Sequence, residues 1–157
     1  MNSSASQDVI DPVVKSLLVN LPVPAAFALF TSGIARWWPL VTHSVGGVDA
    51  ISCHIEGWVG GRIYEVMKDS LELTWGTLLT WEPPHRLEFT FHPGRAPETA
   101  QTVEVLFQPE GSDTRLTLTH RGWESLAGDA FTRRSGYETG WDIVLAQYTQ
   151  TAISAGS

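Results

Sequence analysis

The sequence predicts an α+β fold: a seven-stranded antiparallel sheet curved around a long C-terminal helix, with two short helices between strands one and two. Three observations predict it. Tyr137, Trp141, Val144, Tyr148 and Ala152 recur at steps of four, three, four and four, which is one stripe of a 3.6-residue helix. From Val45 to His120, short alternating runs are broken at regular intervals by Gly, Pro and Asp clusters, the signature of an antiparallel meander. Clean alternation leaves one sheet face wet and one dry. The dry face and the helix stripe must bury each other.

Taken in order, Val13 to Val19 is a first strand, rich in Val and Leu, broken by Asn20 to Pro24. Pro24 suits a helix's first turn. Ala26, Phe27, Phe30 and Ile34 follow at helical spacing, and Ala35 to Trp38 adds a turn that Pro39 stops. Val48 to Glu56 is the second strand, followed by the turn Gly57-Trp58-Val59-Gly60-Gly61. Arg62 to Met67 and Glu72 to Trp81 are the third and fourth, the latter ending at Glu82-Pro83-Pro84-His85. Arg86 to His92 sets Leu87, Phe89 and Phe91 on one face, with Glu88, Thr90 and His92 opposite. Thr102 to Gln108 and Thr114 to His120 complete the sheet, the last with Leu116, Leu118 and His120 inward. Arg121 to Gly128 connects to a terminal helix spanning Ser135 to about Ser154, its stripe widened by Leu145 and Ile153.

The 157 residues suit one domain, over residues 11–154, behind a disordered tail at 1–10. A net charge of −7, with Lys and Arg mostly scattered singly, excludes a phosphate-binding stripe and disfavours an anionic membrane surface. Cys53 is the only cysteine, so neither an intrachain disulfide nor a thiolate zinc site is available. MNSSASQD lacks the features of a secretory leader, and no run of 18 apolar residues exists, so a cytoplasmic protein is expected. Seven tryptophans exceed what stability alone demands of this length, and point to an apolar pocket with a few polar handles.

No nucleophile elbow, zinc-protease helix or phosphate loop occurs, and no metal or cofactor is expected. Cys53 and His54, adjacent on a strand, face opposite ways. His43, His85 and His92 fall in or beside loops and are expected to face solvent. His120 continues an inward register; burial would hold it neutral, either as a satisfied core histidine or as a ligand-orienting, acid–base group. Glu56, Arg62 and Glu65 are the charged residues nearest a cavity rim, though a surface ion pair is the commoner fate of such residues. Adjacent Trp37 and Trp38 are expected to part, one capping the cavity and one meeting solvent or a partner chain.

Several segments carry a resemblance. They are Arg36-Trp37-Trp38-Pro39, Glu56-Gly57-x-x-Gly60-Gly61-Arg62, Trp75-Gly76 and Trp81-Glu82-Pro83-Pro84-His85-Arg86-Leu87. Phe91-His92-Pro93-Gly94, Thr114 through His120, Gly122-Trp123 and Gly140-Trp141 follow. Together, from Val13 to about Ile153, the chain resembles the activator-of-heat-shock-protein-ATPase-like branch of the START/birch-pollen-allergen (SRPBCC) superfamily. The resemblance implies a helix-grip fold with a hydrophobic cavity between sheet and helix. One departure is Pro22-Val23-Pro24, where members usually carry a Ser or Thr cap. Another is length, since the eukaryotic co-chaperones add an N-terminal chaperone-binding domain.

Three functions follow as expectations. The first is binding of a small hydrophobic or aromatic molecule, with Trp38, Glu56, Trp75, Phe89, Phe91, His120, Trp123, Trp141 and Tyr148 as cavity-lining candidates. The second is an enzyme, cyclase or hydrolase-like, pairing His120 with Glu56 or Glu65. The third is a protein-interaction role with a chaperone or in a homodimer. All turn on whether the space between sheet and helix is left partly vacant.

Overall fold

The computed structural model describes residues 10–156. The tail expected at 1–10 lies outside the described residues apart from Ile10, which packs on the core. The strands are β1 (Val13–Val19), β2 (Ala50–Ile55), β3 (Arg62–Met67), β4 (Glu72–Glu82), β5 (Arg86–Phe91), β6 (Gln101–Glu110) and β7 (Asp113–Arg121). Helix α1 is Val23–Phe30 and helix α2 is Ala130–Gly156. All seven strands join one antiparallel sheet in the order β1-β7-β6-β5-β4-β3-β2. Strands β2 to β7 thus form the expected meander, and β1 returns to pair with β7, Val13 opposite His120.

The sheet curls where β4 changes partners. Its first half pairs with β3 and its second with β5, and both pairings slip register near Gly76. A Cβ on Gly76 would sit 1.6 Å from the Thr90 carbonyl oxygen, so only glycine lets β5 cross so close. Just beside it, the His92 N–H donates to the Trp75 carbonyl at 2.6 Å.

The concave face is buried as the alternation predicts, through Leu87, Phe89, Phe91, Val103, Val105, Phe107, Leu116 and Leu118. Trp141, Val144, Leu145, Tyr148 and Ala152 of α2 pack over it. α1 fills the middle: Phe27 and Phe30 lie 5.3 and 5.8 Å from Phe107, and Phe30 lies 5.4 Å from Tyr148. The vacancy expected along the whole helix is therefore closed at its centre by rings.

Four local expectations are corrected. α2 begins at Ala130 rather than Ser135. Ala130 is buried and Arg134 donates to the carbonyls of Asp11 and Pro12, so the stripe runs back through 130, 134 and 137. Ile153 is 57% exposed, because one residue beyond Ala152 is a 100° turn away from the core. Trp37 and Trp38 both turn inward, their rings 5.5 Å apart. They leave a 3₁₀ turn (Ile34–Arg36) rather than a strand, so adjacent side chains need not oppose; Trp37 Nε1–H reaches the Leu29 carbonyl. His92 is buried, its backbone tied to β4 and its Nδ1 3.1 Å from the Arg95 carbonyl oxygen. Among the described residues, no helix is long and apolar enough to cross a membrane.

Candidate functional site

The remaining vacancy is a cavity of about 290 Å³ at the N-terminal half of α2. The helix contributes Tyr137, Gly140, Trp141 and Val144; the end of β5 contributes Phe91, with Pro93 and Gly94 beyond it. The segment between α1 and β2 closes the remaining side with Trp38, His43, Ser44 and Val45. Its aromatic walls support one another. Trp38 meets Trp141 edge-on at 5.9 Å and Trp75 at 5.0 Å, while Phe91 lies 5.9 Å from Trp141. Such contacts add roughly 0.5–1.5 kcal/mol each to simple burial.

The 38–47 segment has no regular ladder, so its position depends on side-chain anchors. Trp38 Nε1–H donates to the His43 carbonyl at 2.7 Å, and Ser44 Oγ–H donates to that of Leu40 at 2.5 Å. The main anchor is Glu65, which is wholly buried. Its Oε1 accepts from the Val45 N–H at 2.8 Å and from Trp75 Nε1–H at 2.6 Å; its Oε2 accepts from the Gly46 N–H at 2.8 Å. A Cβ on Gly46 would push the flexible tip of Met67 aside and sit 3.1 Å from Glu65 Oε2. The expected surface ion pair of Glu65 is thereby corrected. β3 alternates Ile63 and Glu65 inward with Arg62 and Tyr64 outward, and the burial is compensated by three donors. Cys53, opposite Glu65 across the β2–β3 ladder, has its thiol pushed up to about 12 by burial and then by the Glu65 charge. It is no nucleophile.

His120 is a satisfied core histidine. Its Nδ1 lies 2.9 Å from Trp141 Nε1, and indole N–H is only ever a donor, so Nδ1 accepts. Nε2 therefore carries the proton and faces Gln101 Oε1 at 3.3 Å. The ring stacks on Trp123 at 4.2 Å, and burial pushes its pKa down to about 3. Neither Glu56 nor Glu65 partners it. Glu56 pairs with Arg62 at 3.2 Å and accepts its backbone N–H, which holds its carboxyl below the usual range.

His120 also makes stability pH-dependent. With the folded pKa below the ordinary 6.5, the unfolded chain takes the proton first as pH falls. Stability is full above about pH 6.5 and declines towards about pH 3. The share lost between pH 7 and 5 is about 2 kcal/mol. Urea unfolding of wild type and His120→Gln at both pH values measures it; equal pH slopes in the two proteins would refute the assignment.

Of the nine cavity candidates, Trp38, Phe91 and Trp141 line the space. Trp75 backs Trp38, and Phe89 backs Phe91 at 5.8 Å. His120 and Trp123 lie behind Tyr137, with ring centres 4.7 and 5.6 Å from it. Tyr148 lies farther along α2, donating to the Ala26 carbonyl at 2.7 Å. Glu56, held by Arg62 at the β2–β3 turn, is away from the cavity. Sequence reasoning missed His43, which is half-buried in the wall rather than in solvent, and read Tyr137 as core alone. With Ser44, whose Oγ is engaged by Leu40 and Gly47, these two supply polar side chains to the cavity. Among the described residues the Tyr137 hydroxyl has no hydrogen-bond partner; His43 uses Nδ1 towards Thr42 Oγ1 at 2.7 Å and leaves Nε2 unengaged.

The sequence matches the family described as Activator of Hsp90 ATPase homolog 1-like protein over residues 20–152. The chain belongs to that family. Among solved structures, this family member is similar to an anthrahydroquino-γ-pyrone synthase, Txn09. The two are 36% identical over 80% of this chain and 85% of that one, with a TM-score of 0.58. Two more distant structures share the fold alone. Protein MLL2253 from Mesorhizobium loti is 16% identical, covering 93% of this chain and 98% of its own, with a TM-score of 0.66. The AHSA1-like protein from Aeromonas hydrophila is 21% identical, covering 91% and 94%, with a TM-score of 0.62. Among curated proteins no relative matches.

Proposed function

We propose that this protein binds a planar aromatic molecule in the cavity between α2, the end of β5 and the 38–47 segment. The observation that carries the reading is an aromatic-walled cavity holding two polar groups that have no hydrogen-bond partner among the described residues, Tyr137 O–H and His43 Nε2. Ligand sites are typically apolar enclosures with a few placed polar groups. The name of the 36% identical anthrahydroquino-γ-pyrone synthase supports a fused-ring aromatic compound as the class to try first.

That name also favours a second reading, ring closure of the bound molecule. Closure by addition of a ligand hydroxyl across an activated C=C would form one C–O bond at the expense of the C=C π bond. His43 Nε2 would take up the hydroxyl proton, and Tyr137 would donate to the conjugated carbonyl oxygen that gains the negative charge. The proton would return to the adjacent carbon, with no oxidant and no leaving group. His120, with both nitrogens engaged, holds Trp141 in place instead.

Tryptophan fluorescence tests binding, since Trp38 and Trp141 are both walls. Titration with hydroxyanthraquinones is expected to give saturable one-to-one quenching, weakened about tenfold or more in Trp38→Ala. An absence of saturable binding across that panel would defeat the reading. Tyr137→Phe separates the two functions: binding should persist and any turnover should fall by about 10²-fold or more.

A further inference from the structure

Beyond the aromatic chamber lies a second cavity of about 440 Å³, which shares His43, Tyr137 and Gly140 with the first. Its remaining lining is Asp129, Thr132, Arg133 and Gly136, so the apolar chamber continues into a charged mouth. We propose that the ligand is amphiphilic, an aromatic body in the chamber with an acidic group, a carboxylate or an ionised phenol, received at the mouth by Arg133. This inference deepens the proposed function and rests on it.

Charge accounting singles out Arg133. The chain has ten Lys and Arg against 17 acids, and eight of the ten make ion pairs: Lys15, Arg62, Lys68, Arg86, Arg95, Arg115, Arg121 and Arg134. Among the described residues, Arg36 and Arg133 make none, and Arg36 lines a different groove, beside α1. In so acidic a chain an unpaired guanidinium at a cavity mouth is a conspicuous charge. The mouth's one carboxylate, Asp129, lies 3.8 Å from Arg95 and is offset by it. Arg133, exposed to solvent and without an ion pair among the described residues, is the cation left at the mouth, and its planar fork suits a carboxylate.

The helix between the two cavities is built with room. Gly136 and Gly140, one turn apart, lie on the side of α2 that both cavities touch. Glycine inside a helix is unfavourable relative to alanine, and neither position has a positive φ to require it. Packing does not require it either. A Cβ on Gly136 would meet nothing within 4 Å, and one on Gly140 only the His43 ring, at 3.9 Å. Open space at these positions keeps the floor clear between Arg133 and the aromatic walls.

The test uses two matched probes, anthraquinone-2-carboxylate and anthraquinone-2-carboxamide, with wild type, Arg133→Gln, Arg133→Lys, Arg36→Gln and Gly136→Leu. Wild type and Arg36→Gln should prefer the carboxylate about tenfold, less so at high salt. Arg133→Gln should remove the preference while leaving carboxamide affinity unchanged, and Arg133→Lys should restore part of it. Gly136→Leu should raise the melting temperature yet weaken carboxylate binding. Equal affinities of wild type for both probes would overturn the acidic-end proposal while leaving the chamber reading intact. So would an Arg133→Gln protein that keeps the preference, or a Gly136→Leu protein that binds both probes as wild type does. If neither probe binds wild type, the chamber reading itself falls, and this proposal with it.

Discussion

Trp141→Ala is expected to destabilise the protein by about 3–5 kcal/mol, the range for removing a buried aromatic with incomplete collapse of the space. Trp141 is 2% exposed, and its ring meets Trp38, Phe91 and His120 at about 6 Å. Two losses combine. The indole leaves a hole that joins the existing cavity, and His120 Nδ1 loses its donor, Trp141 Nε1–H. Trp141→Phe narrows the difference, because it keeps a ring in the wall while removing the N–H and the smaller part of the indole's bulk. Its cost should be about 1–3 kcal/mol, that of an unsatisfied buried acceptor. Chemical denaturation of both variants is the measurement. Equal costs for Phe and Ala would mean the hydrogen bond dominates, and small costs for both would mean the ring is not where the fold needs it.

The fold was legible because its two periodicities are undisturbed. Strands β3, β5, β6 and β7 show period-two alternation, β1 a Val/Leu-rich run, and β3 lies on the residues where the sequence places it, Arg62 to Met67. The α2 stripe was read from Tyr137 to Ala152, and Trp141, Val144, Tyr148 and Ala152 are all buried. Where periodicity gave out, so did the reading. The start of α2 was hidden because residues 131–135, Phe-Thr-Arg-Arg-Ser, show no apolar repeat; Arg134 is held by backbone carbonyls of the N-terminal approach. Trp37 and Trp38 follow a 3₁₀ turn, for which no face rule exists.

The site was less legible than the fold, and for a related reason. Trp38, Phe91 and Trp141 stood out as large aromatics, whereas His43 and Val45 belong to an irregular segment whose path depends on a side chain twenty residues away. The Gly140-Trp141 pair was noticed, but nothing local says that the glycine faces a vacancy. One signal could have been used. Glu65 shares the inward register of Ile63, and an inward carboxylate must find donors. A nearby Gly46-Gly47 pair, with exposable N–H groups, was a candidate source.

Glu65 therefore carries the other large prediction. Glu65→Ala strands one buried indole N–H, at about 1–3 kcal/mol, and two part-buried backbone N–H groups that water can reach more cheaply. A total of roughly 3–5 kcal/mol is expected, since part of the segment can relax outward and be hydrated. Glu65→Gln keeps the shape but turns one acceptor into a donor facing another donor, and should cost about 2 kcal/mol. The damage should be local before it is global. Hydrogen exchange followed on residues 40–47 should show lost protection at Val45 and Gly46 in the Gln variant, under conditions where β6 and β7 remain protected. Aromatic ligand binding should weaken in step, because Val45, Ser44 and His43 are cavity wall. Unchanged protection at Val45 and Gly46 would show that the segment holds itself, and that the carboxylate is buried for some other reason. A loss spread evenly over the sheet would instead make Glu65 a general support of the core rather than the anchor of the cavity wall.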